Sequence, residues 1–206
     1  MNQSGPFTVG FSTSSGMASV AIFDQDGSIV FSESVSAPTT SSGACLRLLH
    51  ESKVDLGQVR TFLADTGPGS FTGVRVGVVL AKTLAWTNCQ FGIPCLCGGA
   101  SAFDLISHDG VAVLPSKRGE WFIRFPGDEP FRSTEFPKVG EGLKGFGYGS
   151  GFEEAGGELK YPSAERFGDF LAAVSLVDAA TFAPEYLIEP SISIPKKKLS
   201  LVGGDQ

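Results

Sequence analysis

The sequence has few of the residues that build disulfide frameworks, metal sites and nucleic-acid surfaces. Its 206 residues include only four cysteines and two histidines. Basic residues number 16 against 22 acidic ones, and the resulting net charge of −6 disfavours direct binding of a polynucleotide. No apolar run approaches the roughly 18 residues of a membrane span, and no secretory leader is visible. We therefore expect a cytoplasmic protein without membrane contact.

Motifs of common catalytic sites are also missing. Neither His50 nor His108 has a His or Cys neighbour at metal-ligand spacing. Cys89, Cys95 and Cys97 follow a C-x5-C-x-C spacing that is unlike that of zinc sites. The Gly-x-Ser-x-Gly pattern of many serine hydrolases does not occur. The sequence thus predicts no metal ligands and no catalytic residues in this chain.

The first third of the chain alternates short apolar runs with polar turns. A hydroxyl-rich turn follows the first run, and an Asp-Gly pair marks a hairpin after the second. An apolar stripe then indicates a helix before the next buried strand. The predicted order is strands at 7–11, 19–23 and about 28–35, a helix at 44–53 and a strand at 59–64.

The best-marked element is a glycine-rich turn followed by a long apolar helix at 74–87. Thr72 is expected to cap this helix. Glycine is unfavourable inside a helix, so its recurrence there needs a packing reason. The small residues recur every four positions and predict close docking of another helix. They are Gly73, Gly77, Ala81 and Ala85.

The turn at 67–73 lies between a predicted strand and a predicted helix, where backbone N–H groups can hold a phosphate. However, Val74 stands where a Walker A loop needs lysine. The spacing of Gly67, Gly69 and Gly73 is one residue too long for a dinucleotide-binding fingerprint. A turn that serves packing and helix capping is therefore favoured, and a phosphate cradle is the alternative.

The second half shows a further strand–turn–strand unit at 111–125, similar to the one at 7–23. A strand at 93–97 and helices at 101–107 and 163–174 are also expected. Residues between 126 and 160 are rich in Gly, Pro and Glu, and they predict irregular structure.

In a doubled ribonuclease-H-like ATPase fold, two such turns face each other and hold the phosphates and metal of a nucleotide. The first turn offers Ser12 and Thr13, and the second offers Lys117 and Arg118. A hard metal ion needs a carboxylate at such a site, and neither turn has one at its strand end. The two turns are candidate nucleotide-facing turns, and two ordinary hairpins are the alternative.

The run from Asp65 to Gly77, with Ala81 to Ala85 after it, resembles the signature of the TsaB (YeaZ-like) family. This family is the non-catalytic partner of TsaD in bacterial tRNA threonylcarbamoyladenosine synthesis. Weaker similarities lie at 118–120, 147–151 and 184–187. The family usually has Asp at two positions where this chain has Ser12 and Pro115. These differences affect candidate ligand positions and leave the apolar helix unchanged.

The resemblance implies an α/β fold of two ribonuclease-H-like lobes of the actin/sugar-kinase superfamily (ASKHA), with the second lobe reduced. The expected division is a first lobe at 1–100, a second at 101–190 and a tail at 191–206. The implied partners are TsaD in a heterodimer, TsaE, and a second copy of the chain in a homodimer. No cofactor is expected on this chain alone, ATP is an option at the level of the complex, and tRNA is reached only through the complex.

Three groups of site residues follow from the motif, the helix and the resemblance. The expected interface comprises Gly73, Val74, Arg75, Gly77, Val78, Ala81, Lys82 and Ala85. The expected motif loop, which shapes the helix start, comprises Gly67, Pro68, Gly69, Ser70, Phe71 and Thr72. The candidate nucleotide-facing residues are Ser12, Thr13, Lys117 and Arg118.

Two other hypotheses remain at this point. The chain is an independent ATPase, small-molecule kinase or metallopeptidase-like enzyme of the same fold, or it is a diverged paralogue with another partner. The missing acids at Ser12 and Pro115 and the lack of paired histidines disfavour an independent enzyme. The run Lys196 to Lys198 is either a solvated tail or a contact to tRNA.

Overall fold

The computed structural model describes residues 5–37, 39–116, 119–137, 144–154 and 156–185, which form two β-sheets with two α-helices packed on the first. The α/β class expected from the sequence is confirmed. Across these ranges, no helix combines the length and the apolar content needed to cross a membrane.

The elements that position the candidate site come first in the chain. They are β1 (Phe7–Ser12), β2 (Met17–Phe23), β3 (Ile29–Ser36), α1 (Ser41–Glu51), a 3₁₀ helix (Leu56–Gln58), β4 (Val59–Gly67), α2 (Phe71–Gln90) and β5 (Leu96–Ser101). The remaining strands are β6 (Val111–Pro115), β7 (Trp121–Arg124), β8 (Phe131–Ser133), β9 (Gly145–Gly147), β10 (Glu158–Leu159) and β11 (Leu176–Val177). Two further 3₁₀ helices, Ala164–Asp169 and Leu171–Ala173, precede β11.

The first sheet has the strand order β11-β5-β4-β1-β2-β3. β1, β2 and β3 form an antiparallel meander, and β4 and β5 extend the sheet parallel to β1. The Asp24 carboxylate closes the turn between β2 and β3, because it accepts hydrogen bonds from Asp26 N at 3.0 Å and Ser28 N at 2.9 Å. Gly27 in this turn has a φ of +80°, which glycine adopts at little cost. The predicted meander and the predicted strand before the glycine-rich turn are confirmed.

Both α-helices lie on one face of this sheet. α2 packs along β4 and α1 packs against β2, and side chains of both helices join the core of the sheet. In the centre of this core, the rings of Phe11 and Phe62 stack with their centroids 6.4 Å apart. Ala81 and Ala85 of α2 are fully buried against this core. The small-residue side of α2 therefore faces the chain's own sheet.

The second sheet has the order β10-β9-β6-β7-β8. Its centre is the antiparallel hairpin β6–β7, and β9 adds parallel to β6. The strand–turn–strand unit expected at 111–125 is thus confirmed, whereas the segment expected to be irregular contains β8, β9 and β10. A separate hydrophobic cluster, which includes Leu114, Phe122 and Phe146, fills one face of this sheet.

Two elements late in the sequence, β11 and the 3₁₀ helix Ala164–Asp169, belong with the first sheet. β11 pairs antiparallel with β5 at the sheet edge, and the 3₁₀ helix Ala164–Asp169 packs against β1 and β2. Part of the expected second lobe, 101–190, therefore completes the first sheet. The expected tail, 191–206, lies outside the described residues.

Three local expectations are wrong. The helix expected at 163–174 is two 3₁₀ helices, because Phe170 between them has a φ of −148°, far from helical values. The segment expected as a helix at 101–107 is the end of β5 followed by turns. Ser70, not Thr72, caps α2: its hydroxyl accepts a hydrogen bond from Gly73 N at 3.2 Å.

The packing of α2 predicts that Gly77→Leu destabilises the fold. A Cβ at this glycine would lie 2.6 Å from Thr13 Oγ1, so a larger side chain must displace the turn beneath it. Overpacking of this kind costs about 1–3 kcal/mol of unfolding free energy, measured by urea denaturation. Val79→Leu on the exposed side of the same helix is the matched control and should change stability little. Equal stability of the two variants would contradict this packing.

Candidate functional site

One side of α2 is exposed and carries two large apolar side chains. We call Thr72, Arg75, Val79, Thr83 and Trp86 the outer face of α2, since all five side chains are exposed. Val79 and Trp86 are 58% and 59% exposed, values that are unusual for large apolar residues on a helix that packs on a sheet. The outer face of α2 is therefore the strongest candidate contact surface in the first lobe.

A groove of about 360 Å³ runs along this face toward the start of α1. Its lining is Ser42, Thr72, Arg75, Val76, Val79, Leu80 and Thr83. The Arg75 guanidinium lies 5.3 Å from the centroid of the Phe71 ring, so a cation lies at the rim of a groove whose other lining residues are uncharged. The groove offers apolar contact area with one charged group to set orientation.

The predicted interface residues fall on two sides of α2. Arg75 belongs to the outer face, and Lys82 is half-buried. The other six are buried inside the chain, so their side chains do not form its outer surface. They are Gly73, Val74, Gly77, Val78, Ala81 and Ala85.

Lys82 has an internal partner. Its ammonium group donates a hydrogen bond to Phe182 O at 2.7 Å, and Ala180 O lies 3.4 Å away. This contact joins α2 to the segment that follows β11. Lys82 therefore organises the chain itself and offers little charge to a partner.

The buried side of α2 packs against the turn that follows β1. Ser14 O accepts a hydrogen bond from Ser70 N at 2.7 Å, and the Thr13 hydroxyl donates to Gly73 O at 2.8 Å. A Cβ at Gly73 would collide with Thr13 O, so only glycine fits where the helix crosses the turn. The small residues of α2 are thus needed for contact with residues 12–14.

A buried carboxyl group holds this turn from the other side. Asp65 Oδ2 accepts hydrogen bonds from Ser12 Oγ at 2.7 Å, Thr13 N at 3.1 Å and Ser14 N at 3.0 Å. All four residues have no exposed surface. Asp65 stands near the end of β4, and the parallel pairing of β1 with β4 brings it level with Ser12. The first turn has Ser12 where the family usually has Asp, and the neighbouring strand supplies the carboxyl group of Asp65 at the same place.

Burial is the main influence on the ionisation of this group. It raises the pKa of Asp65, and hydrogen bonding from Ser12, Thr13 and Ser14 opposes that rise. Cys45 of α1 and Tyr148 after β9 also lie within the electrostatic reach of Asp65. Burial and the Asp65 charge together raise the pKa of the Cys45 thiol to about 12 and that of the Tyr148 phenol above its usual range. Both groups are therefore neutral at physiological pH.

The motif loop, like α2, has some residues buried in the chain and others exposed. Gly67 and Pro68 are buried, Gly69 is half-buried, and Ser70, Phe71 and Thr72 are exposed at the start of α2. Ser12 and Thr13 are buried beneath the loop, while Lys117 and Arg118 lie outside the described residues. Within the loop, Ser70 caps α2, and Gly67 and Pro68 are packed inside the chain.

Asp65 was missed as a site residue, although it begins the family-like motif. The sequence signal for Asp65 is a polar residue at the carboxyl end of a buried strand. The neighbouring parallel strand ends in a hydroxyl-rich turn. Among the described residues, no three His, Cys, Asp or Glu side chains are arranged to hold a metal ion.

Sequence comparisons find local similarity to one family model and two curated proteins. A family model described as TsaD, tRNA N6-adenosine threonylcarbamoyltransferase, matches residues 42–96. An uncharacterized protein MG208 homolog of Mycoplasma pneumoniae is 52% identical over 46 residues, which are 21% of this chain and 24% of that protein. The tRNA threonylcarbamoyladenosine biosynthesis protein TsaB of Bacillus subtilis is 81% identical over 21 residues, 10% of this chain and 9% of that protein. The matched stretches thus span a quarter or less of these curated relatives.

Structure comparisons extend the likeness to most of the chain. YeaZ from Pseudomonas aeruginosa aligns with a TM-score of 0.69 and 20% identity, over 88% of this chain and 99% of that one. A Pseudomonas aeruginosa protein described as similar to peptidase YEAZ aligns with a TM-score of 0.70 and 18% identity, with the same coverage. These likenesses show that the chain has the α/β fold of YeaZ over most of its length, and together with the local sequence matches they confirm the resemblance to the TsaB family.

The environment of Asp65 predicts a pH dependence of stability. A folded-state pKa above the unfolded value of 3.8 means that the group's contribution is complete below about pH 3.8 and is lost as pH rises through the folded pKa. Asp65→Asn keeps an oxygen for the three donors but carries no charge. The unfolding free energy of the wild type, relative to this variant, should therefore fall as the pH is raised from about 4. Urea denaturation at increasing pH measures it, and a difference that is constant or rises with pH would contradict the assignment.

Proposed function

We propose that this chain is a non-catalytic subunit that binds TsaD and holds it active. With TsaE, the complex would transfer threonylcarbamoyl to the adenosine next to the anticodon in tRNAs that read codons starting with A. The observation that carries the proposal is the exposure of Val79 and Trp86 on the outer face of α2, which lies inside the stretch 42–96 that matches the TsaD family model. The identity of 81% over 21 residues with TsaB of Bacillus subtilis points to the same pathway.

The match to a TsaD model suggests how the two subunits meet. TsaD has a segment similar to α1, β4 and α2 of this chain. Related helices with similar outer faces can pack pairwise about an approximate two-fold axis, as in isologous dimers. A second copy of this chain would use the same face, so a homodimer and the heterodimer exclude each other. The pure chain is then a dimer that exchanges into a one-to-one complex.

The net charge of this chain indicates that the partner makes most of the contact with tRNA. The net charge of −6 disfavours direct contact of this chain with tRNA, so most of the positive surface is assigned to TsaD. The run Lys196 to Lys198, the one basic run noted in the sequence, lies outside the described residues. ATP belongs to the complex in this proposal, and this chain alone carries no cofactor.

Val79→Glu tests the docking surface. A carboxylate at a side chain that is 58% exposed in the free chain costs little there, but in the complex it would be buried without a partner. The affinity for TsaD from the same organism, measured by calorimetry, should fall by at least about tenfold, or 1.4 kcal/mol. Ile29→Glu on β3 is the matched control, because Ile29 is 49% exposed and lies on the far edge strand.

Equal affinities of wild type and Val79→Glu would contradict docking at the outer face of α2. No association of TsaD with the folded wild type would favour the diverged paralogue with another partner. Mg²⁺-dependent ATP hydrolysis by the pure chain would instead favour an independent ATPase or kinase.

A further inference from the structure

Three hydrogen-bond donors of the turn after β1 converge on one oxygen atom. Ser12 Oγ, Thr13 N and Ser14 N lie 2.7, 3.1 and 3.0 Å from Asp65 Oδ2. Consecutive backbone N–H groups that point at one oxygen are the arrangement by which protein turns hold phosphate and other oxyanions. In this chain the oxygen that they hold belongs to the side chain of Asp65.

The position of this carboxyl group follows from the sheet. Phe11 of β1 is level with Ala64 of β4, so the next residues, Ser12 and Asp65, are neighbours. The family resemblance implies an aspartate where this chain has Ser12. The chain therefore keeps a carboxyl group at this point but carries it on the adjacent strand, where it reaches the donors of the turn.

We propose that Asp65 is a built-in ligand of the turn at residues 12–14. Its carboxyl oxygen fills the position that an external phosphate oxygen would take, so the first lobe is held in one conformation without a bound nucleotide. This role of Asp65 belongs to the free chain and does not depend on the binding of TsaD.

The turn and the carboxyl group are closed off from solvent. Ser12, Thr13, Ser14 and Asp65 are fully buried. On the helix side, a Cβ at Gly69 or Gly73 would already collide with the backbone of the turn. An external anion could reach the donors only after Asp65 had moved away, and the donors then lose a partner that is held at high effective concentration.

The wild-type chain provides the first test. Its Thr13 and Ser14 amide resonances are followed by NMR while Mg·ATP, and separately inorganic phosphate, are added to millimolar concentration. We expect no shift of either resonance. A saturable shift of both would overturn the proposal, because it would show that the turn takes an external phosphate.

Replacement of the carboxyl group provides the second test. Asp65→Ala leaves a space of about the size of formate and three donors without an acceptor. We expect a lower melting temperature for this variant and a concentration-dependent recovery with formate. Asp65→Asn, which retains an acceptor oxygen, is the control and should respond to formate as little as the wild type does.

Two outcomes of the second test would overturn the proposal. One is an equal or absent effect of formate on the three proteins. The other is an Asp65→Ala variant with unchanged stability and unchanged Thr13 and Ser14 resonances. If this variant does not fold, the NMR titration of the wild type decides.

Discussion

A single buried oxygen, Asp65 Oδ2, holds the turn against which the start of α2 packs. It binds the turn at residues 12–14 through three hydrogen bonds, and that turn fills the space between the sheet and the start of α2. A buried donor left without a partner costs about 1–3 kcal/mol, so these contacts strongly favour one position of the turn. The glycines at 73 and 77 follow from this constraint, because the helix must cross the turn at close range.

The same constraint decides which side of α2 is available to a partner. Once the small residues face the turn and the core, the remaining side presents Val79 and Trp86 to solvent. A smooth helix stripe is often a site of close helix docking, yet here it is used within the chain. Docking of another protein on α2 must therefore involve the larger residues of the outer face, with Arg75 at the rim of the groove.

Local patterns predicted much of the fold and less of the site. Alternating apolar residues and the Asp26-Gly27 turn were sufficient for β1 to β3, and the glycine-rich motif located α2. The side of α2 that is buried could not be predicted, since apolar residues occur on both sides. The hydrogen bond between Ser12 and Asp65 joins residues that are 53 positions apart in the sequence. Lys82 donates hydrogen bonds to backbone carbonyls that are 98 and 100 positions away. Such contacts depend on strand order, which the resemblance implied only in outline.

Photo-cross-linking from position 79 tests the central assignment most directly. A benzophenone amino acid replaces Val79 in one sample and Ile29 in a control, and each is irradiated together with TsaD. The proposed docking predicts a covalent adduct with TsaD from position 79 and none from position 29. An adduct from position 29 alone, or equal adducts from both positions, would contradict binding through the outer face of α2.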